Sequence, residues 1–311
     1  MKEFYKRFKK QGLKKTVLKG IDKILWYRQN WKSCFTNNLK KLNELGPSFL
    51  PEYKNPSDKN LMEIEKSFFD NKIKLKDYHV NIDSFNKFLN EFDFGDDFYG
   101  GKNNPVWTEK IFEHFVAWET LVKDLKKNEI YIDVAAASSP WVKLLNEKGF
   151  KAIGIDLNRS YKFPDDPNYL VMDATKTSFK DESVSGVSLQ CAFEMFTGDD
   201  DTNLVREFGR ILKPGGKAVI VPLYMHTHYC GHTTKDFRFS KKCHDKGAKL
   251  YLRKDYTGVP FSRKYDVYKL KERILSAVDE SGLKYKIYVL KNGKEIKEGV
   301  YCHFILELVK T

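Results

Sequence analysis

The chain has 311 residues, 41% of them hydrophobic, with 55 Lys+Arg against 42 Asp+Glu and a formal net charge of +13. That hydrophobic share supports a buried core and excludes a disordered chain; mean hydropathy is −0.55, and no run approaches the roughly 18 consecutive apolar residues of a membrane span. The cysteines Cys34, Cys191, Cys230, Cys243 and Cys302 are odd in number and scattered, which argues against a disulfide framework and for a reducing, cytoplasmic compartment.

The charge is uneven. Residues 1–41 hold 13 Lys/Arg and two acids, Glu3 and Asp22, for +11, while the remaining residues together carry +2. Phe4, Phe8, Leu13, Val17, Ile21, Ile24, Leu25 and Tyr27 recur at helical spacing in this arm, so it reads as basic amphipathic helix, bent near Gly12 and Gly20. No apolar segment suited to a cleaved secretory leader follows the Lys-rich start. The first reading of residues 1–41 is docking on the body. The second is peripheral attachment to anionic lipid at the inner face of the membrane, at about 1 kcal/mol per basic residue near the surface. Nucleic acid ranks last, because the body is near neutral.

Residues 42–106 form an extension. Gly46-Pro47, Pro51 and Pro56 mark residues 42–65 as an irregular connector, residues 60–94 as a small helical layer, and Asp93, Asp96, Asp97, Gly100, Gly101 and Pro105 as a loop. A third unit spans 107–311. Its first helix is expected to start with Thr108 as N-cap and to bury Ile111, Phe112, Phe115, Trp118, Leu121, Val122 and Leu125. Strands and helices then alternate: strand 130–134, helix 141–148 stopped by Gly149, strand 151–155 ending at Asp156, and strand 169–172 ending at Asp173. Strand 187–192, helix 202–212, the turn Lys213-Pro214-Gly215-Gly216, strand 217–221 and helix 269–281 follow. Strands 284–290 and 300–309, joined across Asn292-Gly293, are expected to form an antiparallel hairpin. The fold class is α/β: a doubly wound, Rossmann-like, mostly parallel sheet with a C-terminal antiparallel hairpin and a helical N-terminal extension.

Two stretches are specific: Phe179-Lys180-Asp181-Glu182-Ser183-Val184 through Val187, and Arg206-Glu207-Phe208-Gly209-Arg210-Ile211-Leu212-Lys213-Pro214-Gly215-Gly216. With the strand-end acids and the terminal hairpin, residues 107–310 resemble the class I S-adenosylmethionine-dependent methyltransferases, in their small-molecule type 11 branch. The resemblance implies S-adenosylmethionine as cofactor. It places the glycine-rich cofactor loop at Asp133-Val134-Ala135-Ala136-Ala137-Ser138-Ser139-Pro140, where Ala135, Ala137 and Ser139 stand at the family's glycine positions. Alanine there fits where φ is ordinary and costs about 1 kcal/mol where φ is positive. Asp133 also reads as a strand-end acid accepting backbone N–H bonds. Asp156, followed by Leu157, suits a ribose diol or caps the turn before Asn158. The resemblance sets Asp173-Ala174 against adenine, though Asp173 also reads as an Asx-turn. Gln190 ends the strand that faces the methyl group.

The segment Met225-His226-Thr227-His228-Tyr229-Cys230-Gly231-His232 holds His226, His228, Cys230 and His232 at period two, on one face if the strand continues. It reads as a substrate site with a histidine base, as a zinc site, or as a polar loop. No metal is assigned, because the spacing matches no established zinc pattern. Residues 226–265 are long for a connection and carry Arg238, Arg253, Lys254, Asp255, Tyr256, Arg263 and Tyr265, which suits a lid or acceptor-binding insertion. His226 or His228 is the expected base, and Trp107, Glu109 and the helix after them are expected to close the site. The expected activity is O-methylation of a small or glycan-type acceptor, a sugar, nucleotide-sugar or glycolipid. A non-catalytic Rossmann-type binding or scaffold protein is the rival. A nucleic-acid methyltransferase ranks below both, since no Asn/Asp-Pro-Pro-aromatic signature is present.

Overall fold

The computed structural model describes residues 56–104, 106–233, 245–252 and 260–311. The basic arm 1–41 and, within the insertion, Arg238, Cys243, His244, Arg253, Lys254, Asp255 and Tyr256 lie outside the described residues.

Eight strands make the central sheet: β1 (Leu75–Tyr78), β2 (Ile130–Val134), β3 (Lys151–Asp156), β4 (Tyr169–Val171), β5 (Val184–Gln190), β6 (Leu212–Val221), β10 (Leu283–Leu290) and β11 (Phe304–Lys310), in the order β1-β10-β11-β6-β5-β2-β3-β4. Neighbours are parallel except at β11, which runs against both β10 and β6. A smaller sheet, β8-β7-β9, is built from β7 (Cys230–Thr233), β8 (Lys249–Leu252) and β9 (Phe261–Lys264). No helix among the described residues is long and apolar enough to cross a membrane.

Alternation along the strands splits the core in two. Ile132 and Val134 of β2, with Ala218 and Ile220 of β6, pack on one face against α1 (Asp58–Asp70), α5 (Asp200–Ile211) and α6, a helix running through Val267–Lys269, the π-type turns Leu270–Leu275 and Ser276–Glu280. Tyr131 of β2 and Val219 and Val221 of β6 pack on the other face, against α2 (Ile82–Glu91), α3 (Trp107–Thr120) and α4 (Trp141–Glu147). Aromatic rings carry much of the second face. The Phe88 ring lies 4.7 Å from Phe92, 5.5 Å from Phe115 and 5.8 Å from Trp141, and such pairs add about 0.5–1.5 kcal/mol beyond burial. This ring contact fixes α2 on the sheet-bound helices.

The structure corrects several local expectations. α3 begins at Trp107 rather than behind a Thr108 cap, because the Asn104 side chain accepts the Val106 N–H at 3.0 Å and sets the turn itself. Residues 60–94 are not all helical: Leu75–Tyr78 pairs in parallel with Ile287–Leu290 and extends the sheet by an edge strand. Asn292-Gly293 does not form the tight turn between β10 and β11. Gly293 opens a short helix, α7 (Gly293–Ile296), and the Asn292 side chain bonds both the N–H and the C=O of Val80, at 2.8 and 2.9 Å. Lys213–Gly216 is not a turn ahead of the strand: β6 already begins at Leu212, and these residues form an irregularity within it, between the pairs Val184↔Leu212 and Gly186↔Lys217.

A buried ion cluster ties the small sheet to the large one. Arg263 of β9 and Asp201 of α5 are both 0% exposed and 2.6 Å apart. Arg263 also donates to Asp245, at 2.7 and 3.0 Å, and to the carbonyls of Phe196 and Gly198, at 2.9 Å each. Asp201 further accepts from Arg273 at 2.7 Å and from the Tyr265 hydroxyl at 2.5 Å. Burial alone would raise the Asp201 carboxyl, but Arg273 and Arg263 hold it below the usual range. Removing one partner strands the other charges in a dry site. Arg263→Met is therefore expected to destabilise the fold by about 3–5 kcal/mol in equilibrium denaturation; a loss below about 1 kcal/mol would mean that the cluster is solvated.

Candidate active site

Strand order reverses between β2 and β5, so their crossovers leave in opposite directions and a crevice opens beyond their carboxyl ends. The loop after β2 bends sharply there. Ala135 has φ +56° and Ala137 φ +45°, both left-handed, and Cys191, just past β5, has φ +47°. Non-glycine residues in this region each carry about 1–2 kcal/mol of strain. The loop thus keeps a glycine-type backbone path with the smallest side chain that has a Cβ. Gly154 of β3 makes the close packing possible: a Cβ there would meet the Ala136 methyl at 3.0 Å and Tyr169 and Val142 at 3.2 Å.

Asp156 anchors the loop from the next strand. One carboxylate oxygen accepts the Ala137 N–H at 3.1 Å and the other the Asn158 N–H at 2.9 Å. Asp156 thus caps the turn before Asn158 and is half-buried. Leu157 beside it is 61% exposed. Asp173 forms the expected Asx-turn, its Oδ1 accepting from the Thr175 N–H and hydroxyl at 2.9 and 2.7 Å, and Ala174 is buried behind it. The Gln190 amide donates to Ser188 at 2.8 Å. Asp156 and Leu157 at the end of β3 and Asp173 after β4 thus stand at the carboxyl ends of neighbouring strands, with Leu157 and Asp173 exposed.

Asp133 is placed differently. It is 1% exposed and faces its cross-strand partner Ser188, whose hydroxyl lies 3.4 Å away; its hydrogen bond comes from that side chain, not from the backbone N–H of the loop. A buried chain runs on from Ser188 through the Tyr131 hydroxyl to the Trp141 indole N–H. Burial pushes the Asp133 carboxyl up to about 8.

On the other side of the crevice, α3 presents charge where a core helix would present apolar groups. Glu109, Lys110, Glu113 and His114 are all buried. Glu109 accepts the N–H groups of Tyr301 and Cys302, at 3.2 and 2.9 Å, and so fixes the chain entering β11; burial raises its carboxyl to about 7 against those bonds. Lys110 Nζ chelates Glu113 at 2.9 and 3.0 Å and lies over the rings of Tyr99 and Tyr301, 5.6 and 5.5 Å from their centroids. Burial lifts Glu113 to about 8, with the Lys110 charge pulling it back. His114 reaches the cofactor-type loop. Its Nδ1 bonds the Lys110 carbonyl at 2.6 Å, so Nε2 is the acceptor for the Ser139 hydroxyl at 3.1 Å, and burial lowers the imidazole to about 4, keeping it neutral.

Cys191 and Glu194 complete this cluster. The Cys191 thiol donates to Glu194 Oε1 at 3.6 Å and lies 3.4 Å from the Tyr224 hydroxyl. Tyr224 and Tyr301 stack at 6.1 Å, and the Tyr301 hydroxyl donates to Glu113 at 3.3 Å. Glu194 Oε2 is buried with no hydrogen-bond partner among the described residues, and burial raises its carboxyl.

Residues 132–220 match the family model described as a methyltransferase domain. The segment from β2 to β6 carries a methyltransferase domain. No curated protein sequence matches the chain. Similar solved structures include a methyltransferase from Methanosarcina mazei, 14% identical, covering 60% of this chain and 95% of that chain at a TM-score of 0.40. The 1,6-didemethyltoxoflavin-N1-methyltransferase of Burkholderia thailandensis is 13% identical, covering 76% and 93% at a TM-score of 0.45. The geranyl diphosphate C-methyltransferase of Streptomyces coelicolor is 13% identical, covering 68% and 85% at a TM-score of 0.35.

Within the methyltransferase domain, Ala135, Ala137, Ser139, Asp156, Leu157, Asp173, Ala174 and Gln190 all lie at or just beyond the carboxyl ends of β2 to β5. His226 and His228 instead leave the end of β6 and turn toward each other and the start of β7, with ring centroids 4.5 Å apart. The sequence pattern does not point to Lys110, Glu113, His114 or Tyr301. The available signal was in α3: Glu109 and Glu113 are like charges at i,i+4, an arrangement unfavourable on a solvated face.

The Asp133 carboxyl gives a pH test. Below about 4 both folded and unfolded states hold its proton, whereas between about 4 and 8 only the folded state does. Stability therefore falls as pH rises through that window, by about 1.4 kcal/mol per unit of pKa difference at the upper end. Asp133→Asn is expected to flatten the decline of melting temperature between pH 5 and 8, as measured by scanning calorimetry in parallel with wild type; equal slopes would show that Asp133 ionises normally.

Proposed function

We propose that this methyltransferase domain methylates a hydroxyl of a small or glycan-type acceptor held between α3 and the end of β5. The observation that carries the reading is Glu194: a carboxylate with one buried oxygen that has no hydrogen-bond partner among the described residues, beside the strained Cys191 turn and near Tyr224, Tyr301 and the Lys110–Glu113 pair. Such an oxygen suits a hydroxyl proton, and tyrosine faces suit the C–H faces of a sugar ring.

In this reading Asp156 accepts from the ribose hydroxyls, Leu157 flanks the base, Asp173 with Ala174 meets adenine, and Ala135, Ala137 and Ser139 permit close approach of the backbone. Asp133 supports Gln190 through Ser188. When bound, S-adenosylmethionine supplies the methyl group as a sulfonium electrophile. The protein aligns the acceptor oxygen with that methyl and keeps water out. Glu194 Oε2 takes the hydroxyl proton as the acceptor oxygen takes the methyl group. The raised carboxyl makes Glu194 a stronger base than an exposed carboxylate. This assigns the base to the end of β5 rather than to the histidines after β6.

Titration calorimetry with S-adenosylmethionine tests the cofactor half. Asp156→Ala is expected to weaken binding about tenfold to a hundredfold, and wild-type protein that binds no cofactor would end the enzyme reading. A methyl-transfer assay over hydroxylated sugar acceptors tests the rest. Glu194→Gln is expected to lower kcat by about 10²–10⁴ with cofactor affinity unchanged. The wild-type rate should fall on the acid side at a pH above the ordinary carboxylate range, as Glu194 takes up its proton; a Gln variant with wild-type kcat would remove Glu194 from the mechanism.

A further inference from the structure

The turn between β6 and β7 gathers three metal-type ligands. Met225 bridges to Tyr265 and the His226 N–H donates to the Tyr265 carbonyl at 2.7 Å, which pins this stretch against the chain leaving β9. His226 is 3% exposed and Cys230 0% exposed. One ligand atom each from His226, His228 and Cys230 lies within 4.8 Å of the others. The rings stand edge to face.

The ring nitrogens are partnered unequally, and His228 Nδ1 lies 3.4 Å from the Thr227 hydroxyl, a contact that a metal would displace. His226 Nδ1 is 3.2 Å from the Thr227 hydroxyl, while its Nε2 is buried with no hydrogen-bond partner among the described residues. His228 Nε2 bonds the Tyr251 hydroxyl of β8 at 2.7 Å. Metal-bound imidazoles characteristically engage their second nitrogen in this manner, which fixes tautomer and ring orientation. An imidazole nitrogen buried without a partner has no structural return unless something binds it.

We propose that His226, His228 and Cys230 form a binding site for a zinc-type divalent cation. Two imidazoles and one sulfur suit zinc and its borderline-soft neighbours, and do not suit magnesium or calcium, which take oxygen. Binding breaks the Cys230 S–H bond, forms the sulfur–metal bond and passes the proton to solvent. Three protein ligands leave one position of a tetrahedral shell for water or an incoming group. The site stands at the exit of β6, two residues beyond Tyr224 of the acceptor cluster, and its occupancy does not depend on the proposed methyl transfer.

The test uses the full chain, stripped with a chelator and titrated with zinc chloride alone, then with cobalt(II) as a spectroscopic stand-in. One equivalent of zinc should bind, and the cobalt form should show a thiolate-to-metal charge-transfer band. Cys230→Ser should abolish that band, and His228→Ala should weaken zinc binding at least about tenfold. Circular dichroism melts identify any variant that fails to fold. If Cys230→Ser does not fold, Cys230→Ala replaces it, and the partly exposed His228 carries the affinity arm. A stripped wild-type chain that binds no zinc overturns the proposal. So does binding unchanged in folded Cys230 and His228 variants, which would move the metal to other thiols such as Cys34 or Cys243.

Discussion

Everything at the candidate site depends on the reversal of strand order between β2 and β5. Parallel strands need right-handed crossovers, and crossovers that depart from neighbouring strands in opposite directions leave the ends of those strands uncovered by either helix. Five features are drawn to that gap: the left-handed alanines after β2, Asp156 after β3, Asp173 after β4, Gln190 ending β5, and Cys191 just beyond it. Apart from the neighbours Gln190 and Cys191, none is near another in sequence. Their proximity is a property of the winding, so a change in register at β2 or β5 would disperse all of them at once.

The second constraint is the set of buried charges that α3 carries. A helix buried along one whole side of a sheet is ordinarily apolar there. α3 instead buries two glutamates, a lysine and a histidine, and each is engaged elsewhere in the fold: Glu109 on the backbone of Tyr301 and Cys302, Glu113 on the Tyr301 hydroxyl, His114 on the Ser139 hydroxyl. The helix thereby links the cofactor-type loop to the chain entering β11. A charge moved here could not relax into solvent, so a proton gained or lost at Glu113 or Glu194 would be felt across the cluster. That setting is what a proton-accepting site needs and what a packing helix avoids.

The legible parts of the sequence were those governed by local rules. Runs such as Ile130–Val134 and Lys151–Asp156, each an apolar stretch closed by an acid or a small-residue turn, located β2, β3 and the crevice edge. The turn residues Lys213–Gly216 marked the break in register within β6, although the strand itself starts earlier, at Leu212. What escaped was set by distant partners. Leu75–Tyr78 has too short and too polar a pattern to announce a strand, and it is one because Ile287–Leu290 offers an open edge. Asn292-Gly293 has hairpin chemistry, yet the Asn292 amide is engaged by the Val80 backbone, 212 positions away. Glu113 is buried because Tyr301, 188 positions on, closes over it and donates its hydroxyl.

The alanines at φ +56° and +45° invert the usual argument from lost glycines. Replacing glycine at such positions strains the folded loop by about 1–2 kcal/mol, but it also narrows the unfolded ensemble, which returns about 0.4–1 kcal/mol. The net cost is small. The loop also has external support: Asp156 holds the Ala137 N–H, Ile155 holds the Ala136 N–H at 3.1 Å, and the Tyr169 hydroxyl holds the Ser139 carbonyl at 2.6 Å. A loop over-determined in this way keeps its path whichever small residue occupies it. The identity of the residue is therefore a weaker guide to cofactor binding than the three bonds that fix the backbone, and those bonds come from β3 and the residue opening β4 rather than from the loop itself.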